Sequence, residues 1–302
     1  MALRQVMRSR VLAIVAGAMA VGAVAACSSD DSDTGAAGVD VVAAFYPLAW
    51  AAEEVGGGDV TVTDLTPPGT EPHDLELTPD QVDDVLDADV VVVIGDGFQP
   101  AVEGAADSRD GTTVELLEAL PPGELAENDP HVWLDPVLMV DVVTEIEAAL
   151  VEADPDHEAD YRRNAEAVRG ELDALDGAFR NGLADCERDL VVTAHDAFGY
   201  LTDRYGLRQE GVAGISPDAE PDARRLAELA DLAREEGVTT VFTEELVSPE
   251  IAETLAREAG GLQTDVLDPL ESLSDDNRDA GADYLSVMEA NLTRLQEALG
   301  CS

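Results

Sequence analysis

The sequence predicts an α/β protein of two lobes, each with a central, mostly parallel sheet, joined by one long rigid backbone helix. Short valine-rich runs alternate with amphipathic stretches, the order that builds parallel sheets covered by helices. From Asp154 to Gly182 that alternation gives way to DPDHEADYRRNAEAVRGELDALDGAFRNG, in which Tyr161, Ala165, Val168, Leu172, Leu175 and Phe179 lay one apolar stripe along a helix. Asp154 before Pro155 supplies a cap and a first-turn proline and Gly182 a stop, so this helix spans about 40 Å. After it the strand–helix alternation resumes, which places a second lobe beyond the helix.

Residues 1–26 carry Arg4, Arg8 and Arg10 ahead of an apolar run from Val11, the order of a secretory signal. The run is too short for a comfortable membrane span. It ends in Val24-Ala25-Ala26-Cys27, which resembles the lipobox of bacterial lipoproteins and implies cleavage before Cys27 and lipid on its thiol; an ordinary signal with an incidental cysteine is the alternative. Residues 27–38, small, polar and acidic, form a flexible tether. The folded part then divides into an N-terminal lobe over 39–153, the connecting helix over 154–182 and a C-terminal lobe over 183–302.

In the first lobe, VDVVAAFYPLAW, VTVTDLTP, ADVVVVIGDG and GTTVELLE contain strand candidates, with helices over Leu48–Val55 and Thr78–Asp87 between them. Thr78 caps, Pro79 opens and Gln81 stands at the third helical position, as in a capping box. Just before it, Thr70-Glu71-Pro72-His73-Asp74 puts His73 on a loop after a strand, where open α/β sheets place their ligands. Asn128-Asp129-Pro130-His131-Val132-Trp133-Leu134-Asp135-Pro136 puts His131 in the loop before a helix over Val137–Glu152, which Asp135 and Pro136 open.

In the second lobe, Leu190–Ala194 is a strand that delivers His195 at its carboxyl end, and DAFGYLTDRYG follows as a helix. EPDARRLAELADLAREEG is an amphipathic helix, TTVFTE a strand, and SPEIAETLAREAGG a helix capped by Ser248. GLQTDVLDPL is a strand ending at Asp268-Pro269, and ADYLSVMEANLTRLQEALG closes the chain as a helix. His195 and Asp268 both fall at strand ends expected on one edge.

The charge is extreme. There are 17 arginines and no lysine against 65 acidic residues; without the three arginines of the signal, 14 against 65 leaves −51. Nucleic acid and anionic membrane surfaces are poor partners for such a field. The acids are spread along the chain, as in a solvated coat suited to high salt. Beyond Cys27 only Cys186 and Cys301 remain, and in an exported chain they can form a disulfide or stay as two free buried thiols.

Of four histidines, His157 stands in the first turn of the connecting helix and is expected to be solvated, whereas His73, His131 and His195 occupy strand-end or pre-helix loops. Three imidazoles with one carboxylate make a closed four-coordinate set suited to Zn²⁺ and possible for Mn²⁺ or Fe²⁺. The chain has no HExxH, GxSxG, Walker loop or strand-to-helix GxGxxG, so enzyme signatures are absent.

TEPHDLELTPDQ, NDPHVWLDP, VVTAHDAFGYLTDRYGL and VLDPL, in that order with a long helix between the second and third, resemble the metal-binding lipoproteins of bacterial zinc and manganese ABC importers. The resemblance covers nearly all of the mature chain. It implies metal ligands at His73, His131, His195 and Asp268, with Glu244 as a supporting glutamate and Asp74 and Asp196 as caps or solvated acids. It also implies a monomer, anchored outside the cytoplasm by lipidated Cys27, that gives Zn²⁺ to an ABC importer permease and is not an enzyme. A Mn²⁺ or Fe²⁺ carrier, a metal-dependent adhesin and a secreted zinc hydrolase are the alternatives. The histidine-rich loop that many zinc-binding members carry before the second ligand is replaced here by short, acidic PPGELAEN.

Overall fold

In a computed structural model of the chain, residues 38–123, 125–126, 128–217, 221–246 and 248–302 are described. The expected signal, the lipidation site Cys27 and the tether up to Ala37 lie outside these residues. No helix among the described residues is long and apolar enough to cross a membrane.

The first half of the chain runs β1 (Val39–Ala43), α1 (Tyr46–Gly56), β2 (Val60–Asp64), α2 (Pro79–Asp87), β3 (Val90–Val93), α3 (Pro100–Ala106), β4 (Thr112–Glu115), α4 (Leu116–Ala119) and α5 (Pro136–Ala153). Its four strands are all parallel, in the order β2-β1-β3-β4, with Val41 opposite both Val62 and Val90. The valine run of β3 is buried at every position, as a central strand covered on both faces requires.

Then follow α6 (Glu158–Gly182), β5 (Leu190–Thr193), α7 (Gly199–Arg204), β6 (Arg208–Gly211), α8 (Ala223–Glu235), β7 (Thr240–Thr243), α9 (Glu250–Glu258), β8 (Gln263–Val266), α10 (Asp275–Asp279) and α11 (Tyr284–Leu299). The second sheet repeats the topology of the first, β6-β5-β7-β8, again all parallel. In each sheet the strand order reverses beside the first strand, and the carboxyl ends of the two central strands flank the crevice where open sheets bind ligands.

The connecting helix begins differently from its expectation. Pro155–His157 form a short 3-10 turn, with Asp154 accepting the N–H of Asp156, and the α-helix starts at Glu158. All six stripe residues from Tyr161 to Phe179 are buried, against α1, α5 and α11; side chains of this size contribute about 1.5–3 kcal/mol each on full burial. Thr78 and Gln81 form the expected capping box. Other bounds shift. The helix expected over 196–206 is only Gly199–Arg204, the strand expected to reach Asp268 ends at Val266, and α9 has Pro249 as its cap residue, with Ser248 accepting the Glu250 N–H from one position further out.

A continuous apolar core runs from β1 through α5, α6 and α11 and includes Phe45, Trp133, Tyr161, Phe179, Phe198 and Tyr284. A second, smaller core lies where α8 and α9 cover the second sheet, around Val192, Leu229, Val241 and Leu255. Cys186 and Cys301 are joined by a disulfide across a separation of 115 residues, tying the segment after α6 to the end of α11.

Candidate metal centre

His73, His131, His195 and Glu271 come together, with one donor atom from each lying within 4.8 Å of all the others. Each follows a strand of a parallel sheet: His73 follows β2, His131 follows β4 and α4, His195 follows β5 and Glu271 follows β8. The first sheet supplies two donors and the second sheet two.

His73 is held in its loop beside α2, where the Gln81 side-chain amide donates to the Leu65 carbonyl at 2.7 Å. The Phe98 ring stands edge-on to the imidazole, 4.6 Å between centroids. His131 opens a 3-10 turn over Val132–Leu134. Asp129 Oδ1 accepts its backbone N–H at 3.0 Å and lies 2.7 Å from its Nδ1. His195 stands two residues past β5, and Glu244, just past the neighbouring β7, takes its N–H at 3.2 Å and meets its Nδ1 at 2.8 Å. A carboxylate on Nδ1 fixes the ring and turns Nε2 inward, an arrangement common behind metal-ligating histidines.

The three Nε2 atoms face one oxygen. Glu271 Oε1 lies 3.2 Å from that of His73, 3.5 Å from that of His131 and 3.3 Å from that of His195. Ligands about 2.0–2.1 Å from a tetrahedral zinc ion are separated by about 3.3 Å, so the three distances from this oxygen match three edges of such a tetrahedron. Nε2 of His131 and Nε2 of His195 are buried and make no hydrogen bond. Buried nitrogens of that kind are costly unless a ligand takes them.

The charges are tightly coupled. Burial alone would lower the pKa of His195, but the Glu244 and Glu271 carboxylates outweigh it and push it up to about 10. Burial likewise opposes protonation of His131, and Asp129 and Glu271 overcome it and raise its pKa. Burial would raise Glu271, yet the three imidazoles hold it well below the usual carboxylate range. A divalent cation can replace the protons that His131 and His195 hold.

The carboxylate grouped with the three histidines is Glu271, and the expected Asp268 is placed elsewhere. Its Oδ1 accepts the Leu270 N–H at 2.8 Å, its own N–H goes to Asn291 Oδ1 at 3.0 Å, and its carbonyl accepts from Asn291 Nδ2 at 2.7 Å. Asp268 lines a different cavity, beside Glu245 and Arg294, and burial raises its pKa to about 7. Leu270 sits in the left-handed region at φ 59°, an unusual place for a leucine, and the longer Glu271 side chain, three residues past Asp268, faces the histidines.

Glu244 stands behind His195, as expected of a supporting residue. Asp129, which does the same for His131, went unrecognised although it lies two residues before that histidine. Asp196 accepts the Gly211 N–H at 2.7 Å, a cap-like role, and Asp74 is exposed. Glu71 Oε1 lies 3.9 Å from His73 Nε2. His157 is at the surface, its side chain 35% exposed, with its Nδ1 2.5 Å from Asp154 Oδ2. Three nitrogens and one oxygen can fill all four positions around a tetrahedral cation, which suits capture, whereas hydrolytic zinc chemistry needs a position for water.

A family profile described as zinc-uptake complex component A, periplasmic (ZnuA) matches residues 41–298. The zinc-binding lipoprotein AdcA of Streptococcus pneumoniae is 37% identical over 291 residues, 90% of this chain and 58% of AdcA; the chain thus spans little more than half of that relative. The high-affinity zinc uptake system protein ZnuA of Bacillus subtilis is 35% identical over 301 residues, covering 91% of this chain and 93% of its own. Among solved structures, the Zn(II)-bound ZnuA-like domain of S. pneumoniae AdcA superposes with a TM-score of 0.74 at 37% identity, covering 87% of this chain and 99% of the domain. The laminin-binding protein Lmb of Streptococcus agalactiae, described as bifunctional with adhesin and metal-transporting activity, gives 0.79 at 31% identity, covering 87% of this chain and all of Lmb.

Proposed function

This chain belongs to the ZnuA family of periplasmic zinc-uptake components, and on that premise we propose that it captures Zn²⁺ outside the cytoplasm and delivers it to the permease of an ABC-type importer while held at the membrane by lipid on Cys27. The observation that carries this reading is the convergence of three imidazole Nε2 atoms on one Glu271 oxygen at 3.2–3.5 Å. Residues 39–153 and 183–302 each contribute two ligands, on either side of the helix over 154–182. The metal sits at the seam, where the relation between the halves can signal its presence to a permease.

Zn²⁺ is the substrate. His131 and His195, backed by Asp129 and Glu244, present fixed nitrogens, and Glu271 brings the one carboxylate oxygen. The protons held by His131 and His195 leave as the ion arrives. Three nitrogens favour Zn²⁺ over Mn²⁺, which gains more from oxygen donors and higher coordination numbers. The test pairs competition titration of the metal-free protein against a chromophoric zinc chelator with zinc-limited growth of a native host lacking the gene. Wild type should bind one Zn²⁺ well ahead of Mn²⁺ and restore growth, and His195→Ala should do neither. Preference for Mn²⁺ under matched conditions, or full growth with His195→Ala, would overturn the proposal.

A further inference from the structure

We infer that Gly199 is a positioning residue for His131 as a metal ligand: having no side chain, it leaves the space in which the Asp129 carboxylate sits against the His131 ring. The inference rests on the zinc-capture reading and adds to it a residue that touches neither the ion nor a ligand.

Asp129 is held from three sides. Its Oδ1 accepts the His131 backbone N–H at 3.0 Å and lies 2.7 Å from the ring Nδ1. Its carbonyl accepts the Tyr200 hydroxyl at 2.9 Å, and that hydroxyl accepts the Ala126 N–H at 3.0 Å. Its Oδ2 faces Gly199. A Cβ added at Gly199 would stand 2.7 Å from Oδ2, and beyond its own helix and chain neighbours the only other atom within 4 Å would be Asp129 Cγ, at 3.9 Å. A carbon that close forces a shift. The Asp129 side chain is short and only 10% exposed, so the shift falls on the carboxylate and carries it off His131 Nδ1.

The backbone does not ask for glycine here. Gly199 is the first residue of α7 and does not have a positive φ, so any L-residue can adopt its conformation. At Gly170 of α6 a Cβ would meet nothing within 4 Å; at Gly199 the place is taken by a carboxylate. His195 stands four residues earlier in the same segment. The second half thus supplies one ligand directly and, at Gly199, makes room for the group that orients another in the first half. Partners of this kind behind a metal-ligating histidine typically contribute about 10–100-fold to metal affinity.

The test is a double-mutant cycle on the intact protein, read by competition with a chromophoric zinc chelator, comparing Gly199→Ala, Asp129→Ala and the pair, with Gly170→Ala as the control. Asp129→Ala should weaken zinc binding about 10–100-fold and Gly199→Ala about tenfold or more. In the Asp129→Ala background the glycine change should cost less than about threefold, because the group it displaces is gone. Gly170→Ala should match wild type. The visible absorption of the cobalt-loaded protein reports coordination geometry; it should shift alike in Gly199→Ala and Asp129→Ala and no further in the pair. Additive losses, or unchanged affinity and absorption in Gly199→Ala, would overturn the inference while leaving zinc capture intact. If Gly199→Ala alone does not fold, the pair decides: zinc affinity equal to that of Asp129→Ala upholds the inference, and weaker affinity or a failure of the pair to fold overturns it. Failure of wild type to bind zinc would instead refute the capture reading itself.

Discussion

The indole N–H of Trp133 donates to the backbone carbonyl of Pro269 at 2.7 Å, joining a residue two past His131 to one two before Glu271. The Trp133 carbonyl in turn accepts the Tyr284 hydroxyl at 2.5 Å, so α11 braces the same junction. Two ligand-bearing turns from different halves are thereby held in register before any metal arrives. Preorganisation of that kind lowers the ordering cost of binding. Trp133→Phe keeps most of the buried ring but strips the Pro269 carbonyl of its donor. It should destabilise the protein by about 1–3 kcal/mol and speed zinc dissociation; denaturant melts and chelator-chase kinetics check this, and an unchanged dissociation rate would show that the brace does not act on the site.

Glu271 and Asp268 are separated by substitution. Glu271→Gln removes the anionic oxygen that all three imidazoles face, and zinc affinity should fall by about a hundredfold or more, in line with the cost of leaving buried charged groups without their partner. Asp268→Asn keeps a carbonyl oxygen able to accept the Leu270 N–H, so affinity should change by less than about tenfold. Isothermal competition with a chelator measures both, and the reverse ranking would restore Asp268 as the ligand.

The acid–base coupling sets a pH signature. With a pKa near 10 in the folded, metal-free protein against about 6.5 unfolded, His195 contributes stability that is full below about pH 6.5 and is lost as pH rises through about 10. Glu271, held low, contributes stability present above about pH 4.3 and lost as pH falls through its folded pKa. From these two groups the metal-free protein is most stable between about pH 4.3 and 6.5. Zinc must displace the imidazole protons, so its binding should weaken on acidification and release protons at neutral pH. Calorimetry in two buffers of different ionisation enthalpy reads that release directly; an identical binding enthalpy in both would refute it.

Much of this site was legible because histidine is scarce here. Four occur in the chain, and turn-forming prolines and strand ends set His73, His131 and His195 apart from His157. Glu271 was hidden among 65 acidic residues, and its selection over Asp268 depends on the left-handed Leu270, which no periodicity reveals. The parallel sheets showed through their valine runs, while β6, the polar edge strand RQEG, carries no apolar pattern and was missed. So were α3 and the short polar α10. The stripe of α6 was readable since helical spacing alone decides it, but the 3-10 turn over Pro155–His157 ahead of it carries no such pattern.

The Cys186–Cys301 disulfide closes a long segment of chain, 115 residues apart. Replacing both cysteines with serine should lower stability by about 2–5 kcal/mol. Because the bond lies at the far end of α11 from Tyr284, zinc affinity under native conditions should be nearly unchanged. Denaturant titration and competition titration of the double variant separate the two effects, and a stability equal to that of wild type would refute the first.

Capture of the ion turns on which four atoms hold it. A crystal structure of the zinc-loaded protein, with anomalous difference density measured across the zinc edge, tests this most directly. The predicted result is one four-coordinate zinc bound by Nε2 of His73, His131 and His195 and by a Glu271 oxygen, each at about 2.0–2.2 Å. An ion coordinated by Asp268, or zinc density away from the three imidazoles, would contradict it.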